Sequence, residues 1–524
     1  MKMKGLADRD MQAVERGEVR LLPDNMPAIF NEWMRNIQDW CISRQTWWGH
    51  RIPVWHCAKG HYTVPASGGA PDPTVCGECR EPVTQDPDTL DTWFTSCLWP
   101  FGILGWPDEQ RFSAAKAAKL YPTTILVTGW DILFFWVSRM IMMGLHYTGE
   151  APFRTVVLNS LVADPEGKKM SKSKGNVIDP LDLFDRFGTD ASRFALTRLE
   201  TLRETIRVSE ERVEHGRNFM NKLWNAARFT LGELEGFTPS AQPPANLSLA
   251  DKWILSHAAF ASDQATGLLA RYEFGSYALL TEEFVWHSLC DTYIELAKPA
   301  LKDAATRPAA QWTLWRVLDT TLRIMHPAVP FVTEEIWQRL PHLPPAAKFL
   351  MLESWPAGPA FTDDAAKALV GSAINVAEQI RALKHEQGLA TNQEAEVAVL
   401  PADPDAARQL TEALRLGYVQ TLTRATVRVM TNGDAPPQPS VSAVIPGYTL
   451  HLKLEVPADP AAERQRLVKE RDALQTLLNK TRGTLANADY LAKAPPALVA
   501  DSRKKAEDYA ARLARLAERL RQLA

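Results

Sequence analysis

Two groups of residues in this sequence have types and spacing that suit chemistry. The first is EGKKMSKSKGNVIDP (166–180), where Lys168, Lys169, Lys172 and Lys174 fall within seven positions, interleaved with Ser171 and Ser173 and followed by Gly175. Lysine carries a compact charge on a flexible stem, serine adds donors, and glycine permits close backbone approach. Together they suit a polyphosphate whose charge moves during a reaction. The second group joins HCAKGHYTV (56–64) to VCGECR (75–80). Cys76 and Cys79 form a C-x-x-C knuckle, Cys57 supplies a third thiolate and His61 an imidazole, with His56 as a rival. Three thiolates and one imidazole make a closed tetrahedral zinc site, structural in kind.

These groups need elements to hold them. The lysine loop follows the strand-like RTVVLNSLV (154–162) and precedes a helix starting at Asp179–Pro180, a cap followed by a first-turn proline. With TTILVTG (123–129) and the helical stretches between, residues 1–200 read as α/β. Such folds bind ligands at the carboxyl ends of strands. Residues 201–370 read as helical, because 210–234 and 272–301 carry apolar residues at three- and four-residue spacing, joined by a Pro-rich connection at 236–249. Runs at 395–400 and 425–430 predict a small α+β unit over 371–458, with a turn-rich loop at 432–440. From 459 to 524, Leu467, Leu474, Leu478 and Leu485 share one face, and Tyr509, Leu513, Leu516, Leu520 and Leu523 form an a/d seam. KAPPA (493–497) cannot continue a helix, so the two halves should fold into an antiparallel coiled-coil hairpin. Residues 451–524 hold 15 Lys/Arg against 10 Asp/Glu. Solvated coiled-coil charge and contact with a polyanion both account for that excess.

Composition sets the bounds. A chain of 524 residues is long enough for several domains. Its net charge of −3 excludes nucleic-acid binding through overall charge, so any basic footprint is local. ILFFWV (132–137), between Asp131 and Arg139, is far too short to span a membrane. Six cysteines in so long a chain are no disulfide framework; the expected location is cytoplasmic. Ten of the seventeen tryptophans precede residue 140, and aromatic core is the default account of them.

KMSKS (169–173), extended to KMSKSKGNVIDP, resembles the second signature of class I aminoacyl-tRNA synthetases. Segments 36–55, 86–107, 128–145, 216–229 and 326–340, with the hairpin tail, are similar to the valyl-tRNA synthetase family over essentially the whole chain. The resemblance implies the second half of a Rossmann-type catalytic domain, with a helical anticodon-binding domain, a small α+β unit and a tRNA-binding arm after it. It implies ATP with Mg2+, valine and tRNA-Val as substrates, and a monomer. Lys169 and Lys172 would stabilise the transition state of adenylation, with Met170, Ser171 and Ser173 in the same ATP site and Gly129 and Asp131 near the adenylate. Trp93 and Trp136 would wall a pocket for a small branched side chain, although each could equally be core. Such a pocket rejects threonine poorly without editing. Arg217, Asn218, Asn221, Lys222, Trp224, Asn225 and Arg228 would face tRNA.

Several expected features differ. The first signature, H-x-G-H, is not found; WWGH (47–50) belongs to another family segment. An editing insertion is also missing, and residues 5–26 look like the exit from one. The sequence is therefore expected to start partway through the usual protein, truncated or encoded separately from its N-terminal half, and to need that missing half for activity. Asn159–Ser160 stands where His–Gly is common, Ala163 where Arg is common, and Gly60 where a second knuckle cysteine would fall. Two alternatives remain open: a non-catalytic tRNA-binding module, and a synthetase of isoleucyl type.

Overall fold

The Phe153–Asn159 strand is the spine of the α/β region. Its Val156, Val157 and Leu158 are all buried, as a strand covered on both faces requires. Arg20–Leu22 pairs with it in parallel on one side and Thr123–Gly129 on the other. The computed structural model describes residues 1–65, 70–170, 175–202, 205–356, 362–390, 392–454 and 460–486, with scattered positions between 503 and 520. They form two units, Met1–Pro243 with His257–Cys290 and Gln311–Ala360, and Pro244–Ser256 with Asp291–Ala310 and Phe361–Ala524.

In the first unit one core gathers Phe30 and Met34 from the Met26–Arg35 helix, Met140–Met143 from the Ser138–Tyr147 helix, and Phe153 and Val156 from the central strand. Ser138–Tyr147 begins as a five-residue π-helical turn, Leu133–Val137, of a kind frequent at functional sites. The sequence predicts one strand over 154–162; the structure has two, Phe153–Asn159 and Leu161–Ala163. Ser160 separates them because its N–H and hydroxyl both donate to the Glu200 carboxylate, at 3.1 and 2.9 Å, instead of joining the ladder. Leu161–Ala163 then pairs in parallel with a short strand, Thr205–Arg207, inside the region expected to be helical.

Beyond it the helices pack through glycine. The Glu210–Glu233 helix crosses Thr189–Leu199 at Gly216, where an added Cβ would lie 2.5 Å from the Ala191 carbonyl oxygen. Asp190 receives the Phe331 and Val332 amides at the start of the Pro330–Trp337 helix.

In the second unit a mixed sheet runs in the order Ala425–Val429, Ala395–Pro401, Tyr448–Lys453, Ser440–Ile445. The Asp364–Glu386 and Pro404–Arg415 helices pack on one another, each opening on an aspartate cap, Asp363 and Asp403. The Pro460–Ala486 helix buries Leu467, Leu474 and Leu478, three of the four leucines of its expected seam. KAPPA and most of the hairpin's second helix lie outside the described residues. Among those that are described, 503, 506, 509, 510, 513, 517 and 520 are helical. No described helix is long and apolar enough to cross a membrane.

Candidate active site

The lysine loop leaves the sheet through a tight turn built on Asp164. Its carboxylate accepts the Lys168 N–H at 2.7 Å and the Asn176 side-chain amide at 2.8 Å. Its carbonyl accepts the Gly167 N–H at 2.9 Å. The Asn176 amide, then the Lys168 N–H, hold the Asp164 carboxyl below its usual range. Gly167 has φ +83° and an added Cβ there would lie 2.9 Å from Arg207 Nε, so the turn is closed to other residues. A bridge between Ala163 and Lys169 pins the backbone of the first signature lysine.

Lys169 Nζ lies 3.6 Å from an Asp131 carboxylate oxygen. Asp131 stands on a 3-10 turn at the carboxyl end of Thr123–Gly129. Its carboxylate folds back over Gly129, where a Cβ would meet Asp131 Oδ1 at 2.7 Å. Gly129, Asp131 and Lys169 thus meet at the strand ends, where a parallel sheet offers its ligand crevice. The pair is exposed, with 74% of the lysine side chain and 37% of the aspartate accessible, so it contributes little to stability and leaves the lysine free to exchange partners. Met170 is half-buried. Lys172, Ser171 and Ser173 lie outside the described residues.

Trp93 and Trp136 both pack on the main core. Trp93 stands on the Thr92–Ser96 helix and stacks on Phe135 at 6.4 Å. Trp136 follows on the π-helical turn against which that helix packs. Its indole Nε1 is buried without a hydrogen-bond partner among the described residues.

The metal-type donors converge. Cys57, His61, Cys76 and Cys79 place one ligand atom each within 4.8 Å of one another. Cys57 and Cys79 sulfurs are 3.7 Å apart, and Cys76 Sγ is 3.8 Å from His61 Nδ1. Zn–S bonds of about 2.3 Å in a tetrahedron require an S···S edge of roughly 3.8 Å, so the donor set fits a zinc ion. The backbone N–H of Cys79 is the main cause bringing the Cys76 thiol down to about 6, which favours the thiolate a metal needs. His56 is not among these four converging donors, and its Nε2 pairs with Asp86 at 2.9 Å. Gly60 has φ +83° and closes the Cys57 turn through its N–H. The imidazole of His61, one residue later, lies beside the three thiols, and Glu78 stands 3.7 Å from its Nε2.

On the Glu210–Glu233 helix, Asn218, Asn221, Trp224, Asn225 and Arg228 share the exposed side, while Phe219, Leu223 and Ala227 face inward. Arg217 is half-buried and pairs with Glu214 at 2.7 Å. Lys222 lies 4.3 Å over the Trp286 ring. On the exposed stripe, the Arg339 guanidinium lies 5.7 Å over the Trp224 ring.

Comparisons with known proteins agree with this architecture. Residues 1–69 and 72–209 match the family described as tRNA synthetases class I (I, L, M and V). Residues 251–399 match the anticodon-binding domain of tRNA ligase, and 459–524 the valyl tRNA synthetase tRNA binding arm. The valine–tRNA ligase of Carboxydothermus hydrogenoformans is 41% identical over 508 residues, covering 96% of this chain. The chain belongs to the valyl-tRNA synthetase family, of class I. It spans 56% of the length of that relative and 59% of the Symbiobacterium thermophilum valine–tRNA ligase, which is 40% identical over all of this chain. The Bacillus subtilis valine–tRNA ligase is 38% identical over the whole chain and is spanned to 58%. Among solved structures, a LeuRS–tRNA–LeuAMS complex of Agrobacterium radiobacter K84 matches with TM-score 0.50 at 20% identity, over 74% of this chain and 49% of that one. A Mycobacterium tuberculosis methionyl-tRNA synthetase with methionyl-adenylate matches with TM-score 0.50 at 18% identity, over 67% and 68%. At such identities these two speak for the synthetase fold alone.

Three features of the site were not legible in the sequence: the Asp164–Asn176 staple, the Ser160–Glu200 clasp, and the burial of Arg139 against Trp40 and Phe135. The turn-forming DPEG (164–167) is the one signal that could have pointed to the first.

Proposed function

We propose that this chain supplies the lysine-loop half of a valine–tRNA ligase site and needs the N-terminal half of that site for activity. The reading rests on one observation above others: Lys169 of the synthetase signature stands 3.6 Å from Asp131 at the carboxyl ends of the parallel strands. A carboxylate oxygen of valine attacks the α-phosphorus of Mg2+-bound ATP, and pyrophosphate leaves with the electrons of the broken P–O bond. Lys169 and Lys172 meet the growing negative charge, with Met170, Ser171 and Ser173 in the same loop and Gly129 and Asp131 beneath it. Trp93 and Trp136 wall the pocket for the valine side chain. Arg217, Asn218, Asn221, Lys222, Trp224, Asn225 and Arg228 face tRNA-Val, which then accepts the valyl group. Cys57, His61, Cys76 and Cys79 hold a structural Zn2+.

The chain divides functionally at about 200, 370 and 458 into the catalytic portion, the anticodon-binding helices, the small α+β unit and the tRNA-binding arm. It works as a monomer in the cytoplasm. The need for the N-terminal half is supported by the sheet: among the described residues Thr123–Gly129 is an edge strand with Ile125 and Val127 40% and 56% exposed, an apolar edge of the kind that takes up another strand.

The test is valine-dependent ATP–pyrophosphate exchange by the chain alone and mixed with an N-terminal valyl-tRNA synthetase half. Silence alone and exchange on mixing, lost in Lys169→Ala, is the expected result. Exchange with isoleucine but not valine would overturn the substrate, and silence in both would leave tRNA binding as the function.

A further inference from the structure

The Thr92–Ser96 helix that carries Trp93 is too short to hold itself in place, since helices of this length are marginal without tertiary support. Its support comes from charged side chains that the proposed chemistry does not use. Asp91, only 6% exposed, caps it by accepting the Trp93 N–H at 2.8 Å, and pairs through its other oxygen with Arg44. A second guanidinium lies within the field of that same carboxylate, that of Arg139, which is only 8% exposed. Its central carbon is 3.5 Å from the centre of the Trp40 ring and 5.6 Å from that of Phe135. Arg139 Nε has no hydrogen-bond partner among the described residues. Burial disfavours its charge, and the Asp91 carboxylate opposes that effect. Arg44, on the same carboxylate, also disfavours that charge, while Cys97, at the far end of the short helix, is a thiol pushed up to about 12 by burial and so carries no charge.

A buried cation with so few hydrogen bonds must be held by aromatic faces and by one carboxylate. Those partners converge on Trp93: Asp91 caps its helix, and Phe135 stacks on its ring at 6.4 Å. We infer that Arg139 is a positioning residue for the valine pocket, fixing the plane of Trp93 through Phe135 and the Asp91 cap. This rests on the reading of Trp93 as a pocket wall. The planar guanidinium is essential to the role, because lysine carries the charge but cannot lie flat between Trp40 and Phe135. Pocket walls select between side chains differing by one methyl group through sub-ångström placement. A tilted Trp93 therefore changes valine affinity without touching the lysine loop.

The experiment uses the full chain labelled with 5-fluorotryptophan, the Trp93 fluorine line being assigned from Trp93→Phe. Arg139→Met is expected to displace the unliganded Trp93 line by more than its width, and Arg139→Lys to leave it displaced. Phe135→Leu, at a position 46% exposed and so tolerant of change, is expected to displace it too, and to add nothing when combined with Arg139→Met. Phe135→Leu carries the test should Arg139→Met fail to fold. Titration with valine, with the N-terminal half present, is expected to show at least tenfold weaker binding in Arg139→Met and unchanged ATP binding. An undisturbed Trp93 line in Arg139→Met or Phe135→Leu overturns the inference, and full restoration by Arg139→Lys overturns its stacking basis. If valine leaves the wild-type Trp93 line unmoved and Trp93→Ala binds valine normally, the pocket reading fails. The link from Arg139 to Trp93 is still decided by the unliganded spectra.

Discussion

The Glu210–Glu233 helix contains two internal glycines, and the same substitution at each should change stability in opposite directions. At Gly232 nothing lies within 4 Å of an added Cβ. Gly232→Ala gains helix propensity alone, up to about 1 kcal/mol and less near a helix end. At Gly216 the methyl would sit 2.5 Å from the Ala191 carbonyl oxygen, 3.2 Å from its carbon and 3.4 Å from its Cα. All three are backbone atoms of a packed helix, so no side-chain rotation relieves the clash. Restoring ordinary contact at 3.4 Å needs the two helices to part by roughly 0.9 Å. Overpacking of this kind costs about 1–3 kcal/mol, against the same gain of about 1 kcal/mol in propensity. Gly216→Ala should therefore be destabilising by about 1 kcal/mol, within a range of about 0–2, and should fall below Gly232→Ala by about 1–3 kcal/mol. Urea unfolding followed by helical circular dichroism, with hydrogen exchange across 210–233 to locate the change, measures both. Gly216→Ala as stable as Gly232→Ala would show that the close crossing does not limit this interface.

Cys76→Ser should abolish the binding of one zinc per chain and release the fold of residues 55–85 to proteolysis, both read by metal analysis and limited digestion. The Asp164 turn should depend on pH with a definite sign. Its carboxyl is lowered in the folded state, so its contribution is complete above the unfolded aspartate pKa of about 3.9 and is lost as pH falls through the lower folded value. Exchange at Lys168 and Lys169 should then accelerate only in acid, and Asp164→Asn should remove that dependence. Ser160→Gly, which deletes the hydroxyl bond to Glu200, should cost about 1–3 kcal/mol, as for a bond to a charged group. Local exchange around Leu161–Ala163 should speed accordingly. The chain alone should bind 8-anilinonaphthalene-1-sulfonate through the Ile125 and Val127 edge and lose the dye on mixing with the N-terminal half. A dye-silent chain would count against an unpaired apolar edge.

The sequence was most informative where one residue type does one job at fixed spacing. Cys57, Cys76 and Cys79 are recognisable because thiolates ligate metals wherever a turn brings them together. His61 joins them in space for a reason the spacing could not state: Gly60 takes the positive φ that closes the turn, which brings the next side chain beside the thiols. The lysine loop and the strand before it were likewise visible as a charge pattern after an apolar run. Neither shows that Ser160 ends the strand, because that depends on Glu200, forty positions away, offering both carboxylate oxygens.

Arg139 illustrates the deeper limit. In FFWVSRM (134–140) it reads as the polar end of an apolar run, and an arginine there is expected to reach solvent along its stem. It is buried because Trp40 and Phe135 supply faces and Asp91 a charge, three partners spread over almost a hundred residues. Periodicity predicts which side of an element faces inward, but it cannot predict that a cation will be accepted there. Residues whose job is to hold another residue still are therefore the hardest to read from sequence. At this site they connect Trp93, through the Asp91 cap and Phe135, to Arg139. On the proposed reading of Trp93, a change in that connection alters valine selection and leaves the signature lysines in place.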